Sequence, residues 1–175
     1  IAASPTVYDM AAYPKTLSGK TVTAYVNTHT DLSDELYREG KLVSDNYKNI
    51  LRSQTNAAAI PAEVTVRYGV TVRRANLRNL PTGEGLFFYA SDRNFDALQE
   101  TALDPGEAVA ILHTSTNGYF YYVQAYNYRG WLSKFDVAET DRSTWLRYAE
   151  PKNFLTVVAK DYTLKADGAQ VLFQQ

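Results

Sequence analysis

A chain of 175 residues with 45% hydrophobic and 13% aromatic side chains can bury one ordinary core or two small ones, which argues against a disordered chain. Its 18 basic and 19 acidic side chains leave a net charge of -1, so no long-range attraction to nucleic acid or an anionic membrane is available. Zero cysteines exclude thiol nucleophiles and disulfide scaffolding, and no run approaches the roughly 18 to 20 apolar residues of a membrane span.

Pro5 and Pro14 interrupt regular structure at the start. Over Thr21 to Asn27, Val22, Ala24 and Val26 alternate with polar neighbours, which predicts a short strand. Ser33 as a cap, Asp34 and Glu35 in a first turn and Gly40 as a stop predict a two-turn helix. A longer helix follows, capped by Ser44, with Val43, Tyr47, Ile50 and Leu51 on one face, and Pro61 closes the helical region.

From Glu63 the apolar period changes to two, and turn residues punctuate short strands at Gly69, Pro81 to Gly85, Asp104-Pro105-Gly106, Asn117-Gly118 and Gly130. This is the pattern of a compact barrel. Arg67, Arg73, Arg74 and Arg78 fall in an acid-free stretch, but Val64, Val66, Val70 and Val72 mark the other face of the same strands, so a polar sheet face explains them more simply than a nucleic-acid patch. Glu107 to His113 and Tyr119 to Ala125 read as a hairpin whose Asn117-Gly118 supplies the positive φ of a tight turn. The connection from Pro81 to Leu103 is long for a structureless loop and points to binding use. After Pro151, Phe154 to Val158 and Val171 to Phe173 read as two strands around a polar turn at Lys165 to Gly168, too little to bury a face alone. The organisation is thus 1–62 as a helical clasp, 63–140 as a barrel and 151–175 as the opening of another unit.

Catalytic chemistry is poorly supplied. His29 and His113 are the only histidines, and neither belongs to a metal-ligand spacing. No Gly-x-Ser-x-Gly elbow, phosphate loop or dinucleotide fingerprint is present, and the carboxylate pairs Asp34-Glu35 and Glu139/Asp141 fall at a helix start and a polar linker. No catalytic residue, metal or cofactor is expected. Binding chemistry is richer: Tyr126, Tyr128 and Trp131 surround Arg129, and the long loop carries Arg93, Asn94, Phe95 and Asp96. Trp131 is expected to be at least half buried, Tyr126 and Tyr128 to be the more exposed faces, and Phe95 either to pin the loop or to meet a ligand.

Ala75-Asn76-Leu77-Arg78-Asn79-Leu80-Pro81, then Ala102-Leu103-Asp104-Pro105-Gly106-Glu107, then Tyr126-Asn127-Tyr128-Arg129-Gly130-Trp131-Leu132 resembles, in that order, a bacterial SH3-like (SH3b) β-barrel of the kind found in NlpC/P60 cysteine peptidases of the cell wall. The resemblance runs well over Tyr68 to Ala138. It implies a mainly β fold with a small helical N-terminal segment, an SH3-like barrel and the start of a second SH3-like barrel in which the chain ends. The cysteine, histidine and third polar residue of the peptidase have no counterparts here. In that family the catalytic domain cleaves between γ-D-glutamate and a diamino acid, and the first barrel forms one wall of the cleft. By that analogy Tyr126, Tyr128, Arg129 and Arg93 to Asp96 are the wall, with the NlpC/P60 catalytic domain and a peptidoglycan stem peptide as partners. The resemblance implies an exported, periplasmic or wall-associated location, with cytoplasmic muropeptide recycling also open, and a start at Ile1-Ala2-Ala3-Ser4 is what either leader processing or artificial trimming would leave. Two alternatives stand beside this reading: an independent cell-wall or peptide-binding module, and a purely structural interaction protein if Tyr126 and Tyr128 are buried.

Overall fold

The computed structural model describes residues 7–28, 32–153, 158, 161–166 and 168–174. Strand β1 (Thr16–Ser18) runs into helix α1 (Gly19–Asn27), which occupies the segment expected as a strand. Ser18 decides it: its side chain accepts from the Thr21 amide at 3.1 Å and caps the helix. Val22 and Val26 are buried four residues apart while Ala24 between them is exposed, so an apparent alternation was one helical face sampled at every fourth residue.

The helix expected from Ser33 to Gly40 is a hairpin instead, β2 (Tyr37–Arg38) against β3 (Lys41–Leu42). Its turn residues Glu39 and Gly40 both have positive φ, 52° and 80°, the pattern of a type I′ turn that no helix accommodates. Helix α2 (Asp45–Gln54) forms as expected, with the Ser44 hydroxyl accepting from the Tyr47 amide at 3.3 Å. Leu51 is buried, but Ile50 faces out. The inner face takes Lys48 instead, whose Nζ donates to the Asp34 carbonyl at 2.6 Å. A 3-10 turn over Ala57–Ala59 leads through Pro61 to β4 (Glu63–Thr65), which pairs antiparallel with β1.

The barrel strands are β5 (Arg67–Thr71), β6 (Ala75–Arg78), β7 (Gln99–Leu103), β8 (Ala108–Thr114), β9 (Phe120–Gln124), β10 (Arg129–Ser133) and β11 (Val137–Thr140). They form one antiparallel sheet in the order β11-β5-β8-β9-β10-β6-β7. The β8–β9 hairpin is the expected one; within its turn only Gly118, at φ 72°, adopts the left-handed conformation. Gly130 is required for a different reason: a Cβ there would lie 2.6 Å from the Arg78 carbonyl oxygen, so β6 and β10 approach too closely for a side chain. The acid-free arginine stretch is neutralised by carboxylates from elsewhere, with Arg67 on Glu139 at 2.9 Å, Arg73 on Asp136 at 3.2 Å, Arg74 on Asp104 at 2.5 Å and Arg78 on Asp96 at 2.7 Å. Val72, expected on the inner face, is exposed.

Beyond residue 140 the expected polar linker is helix α3 (Arg142–Ala149). Asp141 caps it, accepting from the Ser143 and Thr144 amides at 2.8 and 3.0 Å, and hydrogen bonds led by the Ser143 hydroxyl hold its carboxyl well below the usual carboxylate range. The helix delivers Trp145, fully buried, to the barrel: Nε1 donates to the Val109 carbonyl at 3.0 Å and the ring lies 4.8 Å from that of Tyr68.

Three apolar clusters result. The barrel interior is built on Leu77, Leu103, Val109, Ile111, Val123 and Leu132. A second joins Met10, Tyr13, Val22 and Val26 to Tyr122, Trp131 and Trp145. The third packs Leu36 and Val43, with Leu51 of α2, against Leu80, Leu86 and Leu98 of the long loop. Met10, Tyr13, Val22 and Val26 from one part of the N-terminal region, and Leu36, Val43 and Leu51 from another, thus pack against barrel or loop residues. Thr116 in the β8–β9 turn caps the end of α2, its amide donating to the Gln54 carbonyl and its hydroxyl to that of Ser53, while His113 Nε2 meets the Asn56 carbonyl at 3.0 Å. Near the other end, Arg142 donates to the Ala11 carbonyl at 3.1 Å.

The described C-terminal residues form a hairpin, β12 (Asp161–Ala166) with β13 (Ala169–Gln174), turning at Gly168. Of the strand expected over Phe154 to Val158, residues 154–157 lie outside the described residues, as do His29 and Asp167.

Candidate binding surface

The eight residues singled out in the sequence divide between two places. Tyr126 and Tyr128 sit in the β9–β10 connection, 49% and 41% exposed, so each offers part of a ring to solvent. Arg129 beside them is committed inward. Its Nε donates to Gln124 Oε1 at 2.5 Å, its Nη2 to the Tyr8 hydroxyl at 2.7 Å, and its guanidinium lies 3.5 Å from the centre of the Tyr25 ring. Gln124 is itself buried and holds the Ala125 and Tyr128 carbonyls. Around this cation, burial pushes the Tyr13 and Tyr122 phenols well above the ordinary tyrosine value, partly offset by the Arg129 charge. Trp131 is fully buried, edge-on to Tyr122, and offers no face to a ligand; it lies in the cluster that also holds Met10, Tyr13, Val22 and Val26.

The loop between β6 and β7 is ordered by its own side chains. It runs only to Leu98, because Gln99 to Leu103 is strand β7. Asp96 is its anchor: one carboxylate oxygen meets Arg78, and the other accepts from the Leu86 and Leu98 amides at 3.1 and 3.0 Å. Arg78 also donates to the Glu84 carbonyl at 2.6 Å. From the α2 side, the Tyr47 hydroxyl donates to Glu84, whose carboxylate also takes Arg38 at 2.9 Å; burial chiefly, with help from Glu84, leaves the Tyr47 phenol pushed up to about 12. Asp96 is therefore a structural group and not a free ligand contact.

At the tip, Asp92 accepts from the Asn94 and Phe95 amides, and the Asn94 amide in particular holds its carboxyl below the usual range. Arg93 folds back onto the Ala90 and Asp92 carbonyls. This leaves Phe95 78% exposed, with Phe88 and Tyr89 also exposed beside it. Phe95 does not pin the loop; the leucines and Asp96 do. Asn94, Phe95 and Asp96 line a cavity of about 460 Å³ with Phe88, Arg74 and the exposed side of β7, and Tyr126 and Tyr128 are not among its walls. Phe88 and Tyr89 were missed from sequence, although the run Phe87-Phe88-Tyr89 inside a loop was a visible signal.

Both surfaces are apolar rings framed by amides and immobilised charges, suited to holding a ligand and not to transferring protons. His113 is half-buried, burial lowers its pKa, and its Nε2 meets the Asn56 carbonyl at 3.0 Å. No cluster of three potential metal ligands exists among the described residues, and no helix among them is long and apolar enough to cross a membrane.

Residues 86–133, from the loop through β10, match the family model of the SH3 domain of SH3b1 type. The barrel is an SH3b domain. No curated protein matches the sequence. Among solved structures, an NlpC/P60 endopeptidase from Photobacterium damselae subsp. piscicida is similar with a TM-score of 0.65 and 19% identity, over 89% of this chain and 36% of that one. At that identity the likeness is one of fold, and this chain spans about a third of the endopeptidase's length. The SH3b match begins inside the loop at Leu86, so the loop's aromatic residues and the β9–β10 connection both belong to the domain itself.

Proposed function

We propose that this chain is the non-catalytic SH3b part of a bacterial cell-wall peptidase, shaping access to peptidoglycan stem peptides and stabilising an NlpC/P60 catalytic domain. The observation that carries the reading is the shared fold with an NlpC/P60 endopeptidase over 89% of this chain, in a sequence with no cysteine to act as nucleophile. Tyr126 and Tyr128 at one end of the β9–β10 hairpin, and Phe88, Asn94 and Phe95 on the anchored loop, are the surfaces offered to the substrate or to the catalytic domain. Arg129, Asp96 and Arg93 support them from behind. The hairpin β12–β13 has the size of the first strands of a second SH3-like barrel, and an exported or wall-associated location accompanies the reading.

The test is reconstitution with a separately produced NlpC/P60 catalytic domain, followed by hydrolysis of L-Ala-γ-D-Glu-diamino acid peptides. Assembly with restored cleavage is expected, and a Tyr126→Ala/Tyr128→Ala variant should alter the preference among stem peptides while still assembling. An assembled complex that stays inactive would overturn the proposal. Sedimentation with intact sacculi separates the alternative, since an independent wall-binding module binds them without any partner.

A further inference from the structure

At the opposite end of β9 and β10 from Tyr126 and Tyr128, a second aromatic surface is present. Tyr119 precedes β9 and Phe135 follows β10; they are 54% and 61% exposed, with ring centres 5.9 Å apart and planes at 34°. Lys134 places its ammonium 5.9 Å from the Tyr119 centre and 5.8 Å from that of Phe135. The main chain beneath is fixed: the Lys134 amide donates to the Tyr119 carbonyl at 2.9 Å, the Phe135 amide to Ser133 Oγ at 3.3 Å, and Arg73 to the Phe135 carbonyl at 3.2 Å. Neighbouring Arg73 and Arg74 are each matched to a carboxylate, whereas Lys134 has no carboxylate partner among the described residues.

Two exposed rings tilted by 34° to each other, with one cation within 6 Å of both, favour a ligand that presents an apolar C–H face and a negative charge together. β9 and β10 are both interior strands of the sheet, so an extended peptide has no main-chain hydrogen bonds to gain here. With a single unmatched cation, the patch also lacks the basic cluster that an anionic membrane surface requires. We propose that Tyr119, Lys134 and Phe135 form a binding site for a carboxylate-bearing sugar of a glycan chain. The pyranose stacks on the rings and its carboxylate pairs with Lys134. This site is separate from the stem-peptide surfaces and does not depend on a catalytic partner.

Titration calorimetry of the whole chain would test it with peptide-free peptidoglycan glycan strands, whose lactyl groups carry free carboxylates. A hexuronate oligosaccharide, neutral chitohexaose and an oligoglutamate peptide serve as the other probes. Saturable binding of at least one acidic glycan is expected, with chitohexaose weaker, and the tighter acidic glycan identifies the source. Tyr119→Ala/Phe135→Ala should weaken binding by about tenfold. Lys134→Gln should remove the preference for the acidic sugar and most of the salt dependence. Tyr126→Ala/Tyr128→Ala should leave binding unchanged, which distinguishes this site from the proposed stem-peptide surface. Absence of binding to either acidic glycan at millimolar concentration, equal affinity of the ring variant in a folded state, or tighter binding of oligoglutamate would overturn the proposal.

Discussion

Replacing Asp96 by Ala removes the anchor of the β6–β7 loop, and the structure sets the size of the effect. The Arg78 side chain is 6% exposed and that of Asp96 17%, so the change strands a buried guanidinium whose remaining strong partner is the Glu84 carbonyl. At an effective dielectric of about 20 and roughly 4 Å between charges, the lost attraction is about 4 kcal/mol, and breaking one side of a buried pair typically costs about 3–5 kcal/mol. The Leu86 and Leu98 amides lose their acceptor as well. Asp96→Asn keeps an oxygen for those amides and loses only the charge, so it should cost less, about 1.5–3 kcal/mol. Urea unfolding followed by Trp131 and Trp145 fluorescence measures both variants, and hydrogen exchange at Leu86 and Leu98 reports the loop directly. Arg78→Ala/Asp96→Ala should be markedly less damaging than the sum of its single changes, by at least about 1.5 kcal/mol. A loss below about 1 kcal/mol for Asp96→Ala, or additive single changes, would refute the buried-anchor argument and return Asp96 to the set of free ligand contacts.

Trp145→Ala should cost about 3–5 kcal/mol, because it empties a fully buried site and removes the Nε1 hydrogen bond to the Val109 carbonyl; an unchanged urea midpoint would show that α3 does not hold the barrel. His113 is depressed below its usual 6.5 by burial, so the unfolded chain takes up the proton first and stability falls as pH drops below about 6.5. His113→Gln should flatten that part of a Tm-against-pH profile. Tyr47 behaves oppositely: with its phenol raised from 10.0 to about 12, the stability it contributes is complete below pH 10 and is lost as pH rises through about 12. Tyr47→Phe should remove an absorbance transition at the alkaline end of a phenolate titration and weaken the alkaline loss of Tm.

Local signals were legible where one residue type fixes the backbone. Ser44 marked α2, and Asn117-Gly118 marked the β8–β9 turn. They failed where two periods agree on the same residues: Val22 and Val26 fit a strand at every second position and a helix at every fourth, and Ser18, three residues before Thr21, was the missed arbiter. At Ser33 to Gly40 the helix-start chemistry was present, but the consecutive positive φ values of Glu39 and Gly40 overrode it. The ring faces of Tyr126 and Tyr128 could be anticipated from alternation. The inward commitments of Arg129 and Asp96 could not, because Tyr8 and Arg78 lie 121 and 18 residues away and meet them only in the folded chain. α3 was hidden because Glu139 to Asp141 looked like a linker, although Asp141 with Ser143 and Thr144 is a helix-start pattern.

The hydrogen bonds of Arg129 with Tyr8 and of Arg142 with Ala11 close loops of 121 and 131 residues. Contacts of such long sequence separation form late and slowly, since the closure entropy is met before the contacts return anything. On a ribosome, Met10, Tyr13, Val22 and Val26 emerge long before Trp145, the partner that completes their cluster. Their apolar faces stay uncovered until α3 has been made, so the N-terminal segment completes its packing only once the barrel strands and α3 are available to it.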